Sequence, residues 1–203
     1  INLPLWPIGV EAAMGDAYAA LGLSETEISR FFPGAAFLAW NEMNNMDGPW
    51  SGPLSKAYRN KRAEISVRAL ARMRSLGIEP VLPGFAGYVP CALSSVLPAN
   101  TSFEPRTTWN GFNSSCLLVA GQPAYETVAK AYYAALHARY GTAKYYAADQ
   151  WNEQSPKAST SLAELVLKSG KGARNGYTEL VVKRSWAGED LEAGGSVFTE
   201  VEV

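Results

Sequence analysis

Twice in this chain a long amphipathic helical pattern closes on a glycine and leads into a short apolar run that opens into a loop. The first unit is KAYRNKRAEISVRALARMRSL, from about Ser55 to Leu76, then Gly77 and IEPVLPGF. The second is PAYETVAKAYYAALHARYG over residues 123–141, then KYYA and the polar stretch AADQWNEQSP. Helices alternating with short buried strands argue for an α/β protein with a parallel sheet. Loops gathered after the strand ends favour a (β/α)8 barrel of the TIM type over an open sheet. A complete barrel takes about 250 residues, so these 203 residues supply a partial one.

Other elements fit around these units. VEAAMGDAYAALG (10–22) has helical spacing and ends on Gly22, and Ser24 with Glu27 forms a capping box for a second helix that Pro33 and Gly34 stop. AAFLAW (35–40) reads as a buried strand or a short helix before the loop NEMNNMDGPWSGPL. In the long helix Tyr58, Ile65, Leu70 and Met73 are candidates for the inner side, with Arg and Lys outside. SCLLVA (115–120) is a further strand candidate. After Pro156 the chain becomes glycine-rich and loses the rhythm. A short helix at 160–168 and strands at 178–183 and 196–203 are expected there, in an irregular C-terminal extension over 157–203.

With 47% hydrophobic and 18% charged residues the chain can bury a core. A formal net charge of −1 leaves no electrostatic footprint for nucleic acid or an anionic membrane, and no apolar run spans a bilayer. Six Trp, ten Tyr and seven Phe offer flat apolar faces suited to sugar rings as well as to core packing. Cys91 and Cys116 cannot define a disulfide framework, and neither has metal-ligand spacing with the lone His137, so no metal site is expected. His137 lies well inside a helix and reads as packing or surface. Sequons at Asn100 and Asn113 flank a Pro- and Thr-rich stretch and would suit glycosylation in a secretory compartment.

Glycoside cleavage needs a carboxylic acid that protonates the leaving oxygen and a second carboxylate across the sugar. Glu153, in a polar cluster just after the KYYA strand, is a credible first member. Asn152 beside it can contact a sugar hydroxyl, while Trp151 and Asp149 can raise the acid's pKa by burial or like charge.

INLPL, ALGLSETEISRFFPGAAFLAWNEMNNMDGPWSGPL, MRSLGIEPVLPGFAGYVP, TTWNGFNSSC and ADQWNEQSP occur in this order over residues 1 to about 156. Together they resemble the catalytic barrel of glycoside hydrolase family 89, the α-N-acetylglucosaminidases. The resemblance implies a retaining enzyme that removes terminal α-linked N-acetylglucosamine from glycans such as heparan sulfate. It implies no metal or organic cofactor, and a lysosomal, vacuolar or secreted location. It makes Glu153 the general acid/base and Asn152 a sugar contact, and places Trp40, Met43 and Trp109 in the sugar pocket. Trp can stack on a pyranose and Met can fill the corner beside an N-acetyl methyl.

The resemblance also implies a glutamate nucleophile on a later strand, and nothing after Pro156 matches that segment; Glu179, Glu189 and Asp190 lack its context. The N-terminal domain and first barrel strands are likewise expected to be missing. The other reading is therefore a glycan-binding or scaffold pseudoenzyme. Half a barrel would need the rest of the barrel or an oligomeric partner to cover its open edges.

Overall fold

The computed structural model describes residues 2–4, 9–42, 50–104, 115–143, 145–148, 181–186 and 198–202. Strand β1 (Asn2–Pro4) precedes four helices, α1 (Val10–Ala20), α2 (Glu25–Phe31), α3 (Leu38–Glu42) and α4 (Lys56–Ser75), which lead to β2 (Glu79–Pro83). Three short strands follow, β3 (Tyr88–Val89), β4 (Phe103–Glu104) and β5 (Cys116–Leu118). Next come α5 (Pro123–Tyr140), β6 (Tyr145–Ala148), β7 (Val181–Trp186) and β8 (Phe198–Glu202).

Both helix–glycine–strand units are present. β1, β2 and β6 lie side by side and parallel, with Pro4 opposite Val81 and Pro83 opposite Ala147. Each parallel strand adds beside the previous one after a helical crossover, which is the order of a TIM-type sheet. The sheet is nonetheless mixed, because β8 runs antiparallel along β6 and β7 antiparallel along β8. SCLLVA does form a strand, but in a separate antiparallel sheet, with β5 between β3 and β4. A parallel strand needs a crossover of a dozen or more residues, usually helical. Between β2 and β5 the described chain supplies only a 3-10 turn (Cys91–Ser95) and two short strands. The expected helix at 160–168 lies outside the described residues.

Local chemistry accounts for the helix ends. The Ser24 hydroxyl accepts from the Glu27 amide at 3.4 Å while the Glu27 carboxylate accepts from the Ser24 amide at 2.8 Å, closing the capping box read from the sequence. Ser55 caps α4 with its hydroxyl alone, which accepts from the Tyr58 amide. AAFLAW is helical, a 3-10 turn at Ala35–Phe37 running into α3. Gly9 starts α1 at φ +88°, and a Cβ there would stand 2.8 Å from the Ala63 amide nitrogen, so only glycine lets this turn lie against α4. The Gly9 carbonyl also accepts from the Tyr140 hydroxyl at 2.6 Å, joining α1 to α5.

The inner face of α4 differs from the sequence expectation. Leu70 is buried and Met73 packs against the core, but Tyr58 and Ile65 are exposed, and the buried face is Arg59, Ala63, Ser66 and Leu70. Arg59 is only 2% exposed. It is admitted because both terminal nitrogens of its guanidinium are met: it donates to the Leu54 carbonyl at 2.7 Å, to the Ser29 hydroxyl and to both Glu25 carboxylate oxygens, and it stacks over Phe32. Gly15 of α1 leaves the space; a Cβ there would come within 3.3 Å of the guanidinium. Tyr58, Ile65 and Leu76 instead form an exposed apolar stripe at 42%, 50% and 56% exposure. The other flank of α4 meets α5 through Asn60 with Arg139 and through Arg74 with the Tyr140 carbonyl.

Cys91 and Cys116, which the sequence left outside any disulfide framework, are joined in a disulfide with a Cα–Cα distance of 5.0 Å. The antiparallel sheet creates the pairing, since β3 on β5 brings the 3-10 turn after Val89 alongside Cys116. The bridge closes a loop spanning 25 residues. The chain-entropy relation puts the stabilisation from such a closure at about 3.5 kcal/mol. A Cys91→Ser, Cys116→Ser double variant is expected to lose about that much in urea unfolding; an unchanged midpoint would show that the bridge adds nothing.

Glu11, in the first turn of α1, is fully buried, with the half-buried Arg62 of α4 3.9 Å from its carboxylate. Burial pushes its carboxyl above the ordinary 4.5, with Arg62 and Arg59 pulling the other way. In that case the folded chain holds a proton that the unfolded chain has released between the ordinary and the raised value. The contribution of Glu11 to stability is therefore complete below 4.5 and is lost as pH rises through the raised value. Thermal melts across mildly acidic pH should show Glu11→Gln with a flatter pH dependence than the parent, and identical slopes would rule this out.

Candidate functional site

The carboxyl ends of β1, β2 and β6 share one edge of the parallel sheet, where TIM-type folds carry their chemistry. Beyond Pro83 the chain turns through Gly84, Phe85, Ala86 and Gly87; Ala148 ends β6, and Glu153 follows in the sequence. α5 faces this edge with an aromatic side. Tyr132 donates to the Pro83 carbonyl at 2.9 Å, Tyr133 accepts from the Phe85 amide at 3.0 Å, and Tyr125 donates to the Phe85 carbonyl at 3.3 Å. From α1, Tyr18 donates to the Tyr88 carbonyl.

Burial pushes the Tyr133 phenol up to about 12 and Tyr132 well above its ordinary value, so these hydroxyls stay protonated through the acidic and neutral range. His137 Nε2 lies 2.6 Å from the Tyr146 hydroxyl, and burial lowers its pKa, favouring the neutral ring. That is a packing role, one of the two readings its position within the helix left open.

Two excursions of the chain are pinched at their bases. The Gly34 amide donates to the Trp50 carbonyl at 2.7 Å, and a Cβ on Gly34 would stand 2.1 Å from the Ser51 carbonyl oxygen. Between these points runs the segment with Trp40 and Met43. In the second excursion β4 and β5 pair Glu104 with Leu117, and the disulfide fixes Cys116. Between those strands runs the segment with Trp109 and Asn113.

Trp40 lies on α3 and its side chain is outside the described residues, as are Met43, Trp109, Asn113, Asn152 and Glu153 altogether. Asn100 is exposed in a turn, and Ser102 of its sequon is held through its backbone by Gln122 at 2.9 Å and 2.6 Å. Sequence reasoning missed the tyrosine set of α5. Its signal was present: tyrosines at 125, 132, 133 and 140 recur on one helical face. Among the described residues no helix is long and apolar enough to cross a membrane.

Comparison with known proteins places this architecture. The family model of the alpha-N-acetylglucosaminidase (NAGLU) TIM-barrel domain matches residues 1–180. Alpha-N-acetylglucosaminidase from Homo sapiens is 40% identical over 163 residues, covering 78% of this chain and 22% of the human protein. The chain thus spans about a fifth of that relative's length. Among solved structures, a family 89 glycoside hydrolase from Clostridium perfringens in complex with PUGNAc superposes at a TM-score of 0.74 with 24% identity, covering 84% of this chain and 20% of the bacterial one. The Clostridium perfringens enzyme in complex with its substrate GlcNAc-alpha-1,4-galactose superposes at 0.73 with 23% identity, covering 84% and 19%. At these identities the structures establish a shared TIM-type fold. With the family model covering most of its length, the chain belongs to the α-N-acetylglucosaminidase family and carries part of that family's TIM-barrel domain.

Proposed function

We propose that this polypeptide is the acid/base-bearing part of a retaining α-N-acetylglucosaminidase. On this reading residues 1–156 form part of a (β/α)8 catalytic domain and residues 157–203 an extension whose first part, to residue 180, the family model still matches. The observation that carries the proposal is the family match over residues 1–180, which includes the Glu153 segment, together with the 40% identity to the human protein. Glu153 protonates the glycosidic oxygen of a terminal α-linked N-acetylglucosamine and then deprotonates the water that releases the sugar. The strand order supports the assignment, because Ala148 lies at the carboxyl edge shared by the parallel strands.

Asn152 hydrogen-bonds the sugar, Trp40 and Trp109 line it with flat faces, and Met43 packs beside the N-acetyl methyl. The two pinched excursions support this division of labour, since the ends of each segment are anchored on the scaffold. No metal or organic cofactor enters the scheme. The substrates are glycans ending in N-acetylglucosamine, such as heparan sulfate. The carboxylate nucleophile comes from polypeptide outside this chain, which would also cover the stripe of Tyr58, Ile65 and Leu76. The compartment is secretory, whether lysosomal, vacuolar or extracellular. The Cys91–Cys116 bridge and the exposed Asn100 support it, and Asn100 and Asn113 are its glycosylation sites.

The second reading is a glycan-binding pseudoenzyme, favoured by the lack of a matching nucleophile segment after Pro156. One experiment separates the two: calorimetric titration of the chain with PUGNAc, alongside an assay on an aryl α-N-acetylglucosaminide. The expected result is sugar binding with no turnover by the chain alone, and turnover once the remainder of the barrel is supplied. Binding that never gives turnover in the completed barrel would favour the pseudoenzyme. Absence of binding in both forms would sink both readings.

A further inference from the structure

Resting on the glycosidase reading above, we propose that Tyr125, Tyr132 and Tyr133 are positioning residues of the sugar site. They hold the turn after β2 and, through packed rings, β6 itself, at the carboxyl edge where that reading places the chemistry.

One stretch of main chain, Pro83 to Phe85, meets three hydroxyls from a single helix face. The stretch lies where β2 runs out of ladder: the last register pair is Pro83 with Ala147, and the Phe85 amide and carbonyl lie beyond it. Buried peptide groups past the end of a strand still need partners. Tyr133 and Tyr125 supply one each, and Tyr132 holds the carbonyl at the strand's last residue. A buried hydroxyl is costly unless bonded, and a phenylalanine would fill the same volume without that demand. Three phenols directed at one turn therefore point to fixing its path rather than to filling the core. Gly87 completes the turn at φ +91°, where a Cβ would be 3.1 Å from the Tyr125 ring and from Leu117.

The connection to β6 is continuous. Phe85 packs on Tyr132 at 5.6 Å between ring centroids, Tyr132 on Tyr133 at 5.3 Å, and Tyr133 on Tyr146 of β6 at 5.6 Å. The Tyr146 hydroxyl is itself fixed by His137 at 2.6 Å and by the Ala143 amide at 3.2 Å. A shift of the Phe85 turn is therefore carried across packed rings to the strand whose end leads to Glu153. Close-packed interiors transmit such shifts instead of absorbing them.

The test compares Tyr133→Phe and Tyr132→Phe with Tyr18→Phe, which removes a buried tyrosine-to-carbonyl bond outside this set. Two quantities are read in the 203-residue chain: hydrogen exchange at the Phe85 amide, and titration of the Glu153 carboxyl followed by carbon NMR. Tyr133→Phe is expected to speed Phe85 exchange by about tenfold, the effect of losing about 1.4 kcal/mol of local protection. It is also expected to move the Glu153 midpoint, as is Tyr132→Phe, while Tyr18→Phe moves neither beyond its effect on global stability. Changes no larger than those of Tyr18→Phe would overturn the proposal. If Tyr133→Phe fails to fold, 3-fluorotyrosine at position 133 keeps ring and hydroxyl while making the oxygen a weaker acceptor for the Phe85 amide, and the same readouts decide. PUGNAc binding by the parent chain is measured in parallel. A parent that binds no sugar counts against the glycosidase reading, whereas normal binding with unmoved Phe85 and Glu153 readouts counts against the clamp alone.

Discussion

Replacing Glu153 with Gln, in a family polypeptide that carries this segment within an entire barrel, is expected to lower kcat on a glycan substrate by about 10²–10⁴-fold, the usual contribution of a positioned general acid/base. The amide keeps the size of the carboxyl but can neither give up a proton to the leaving oxygen nor take one from water. The loss should be smaller on an aryl glycoside whose leaving phenoxide needs little protonation. For that substrate the first step survives and the second, which needs the base, becomes limiting. Azide, which attacks without base assistance, should restore part of that second step. Normal turnover of Glu153→Gln on both substrates would remove Glu153 from the mechanism and leave the carboxyl edge of β6 without its proposed role.

The largest expected loss of stability is at Arg59. Its guanidinium ties α4 to the Leu54 carbonyl and to Ser29 and Glu25 of the α2 region, under the space left by Gly15. Arg59→Ala leaves the Leu54 carbonyl without this donor, opens a cavity over Phe32 and frees Glu25 from its cation. Removing one partner of a buried ion pair typically costs about 3–5 kcal/mol. The half-exposed Glu25 can rehydrate, which places the expected loss toward the lower end of that range. Arg59→Lys should recover little, since a single ammonium cannot reach the carbonyl and both carboxylate oxygens in one plane. Urea midpoints measure both variants; an Arg59→Ala chain within about 1 kcal/mol of the parent would show the network to be dispensable.

Some of this was legible from the residues alone. The capping box at Ser24 and Glu27 and the glycine-closed helices are local, governed by groups three or four positions apart, and the structure reproduces them. The inner face of α4 was not legible. Hydropathy assigns arginine to water and tyrosine and isoleucine to the core, whereas Arg59 goes inside because partners from another helix satisfy it. The Cys91–Cys116 pair and the antiparallel placement of β5 were hidden for a related reason, since both depend on which strand a segment meets in space. The chemistry proposed for Glu153 rests on motif order across the chain; spacing around it gave only a carboxylate after a strand.

The pinched neck at Gly34 and Trp50 has an evolutionary consequence. With its two ends held together by one backbone hydrogen bond and a contact too close for any side chain, the intervening segment leaves and rejoins the scaffold at one place, and Leu38 is its buried contact with the core. Lengthening a closed loop is cheap, about 0.6 kcal/mol for each doubling. Substitutions or insertions between those two points, away from Leu38, can therefore remodel the part of the pocket proposed for this excursion while the register of β1, β2 and β6 stays as it is. Selectivity and foldability can drift independently along this stretch, and the glycine at its neck is the position where drift should stop.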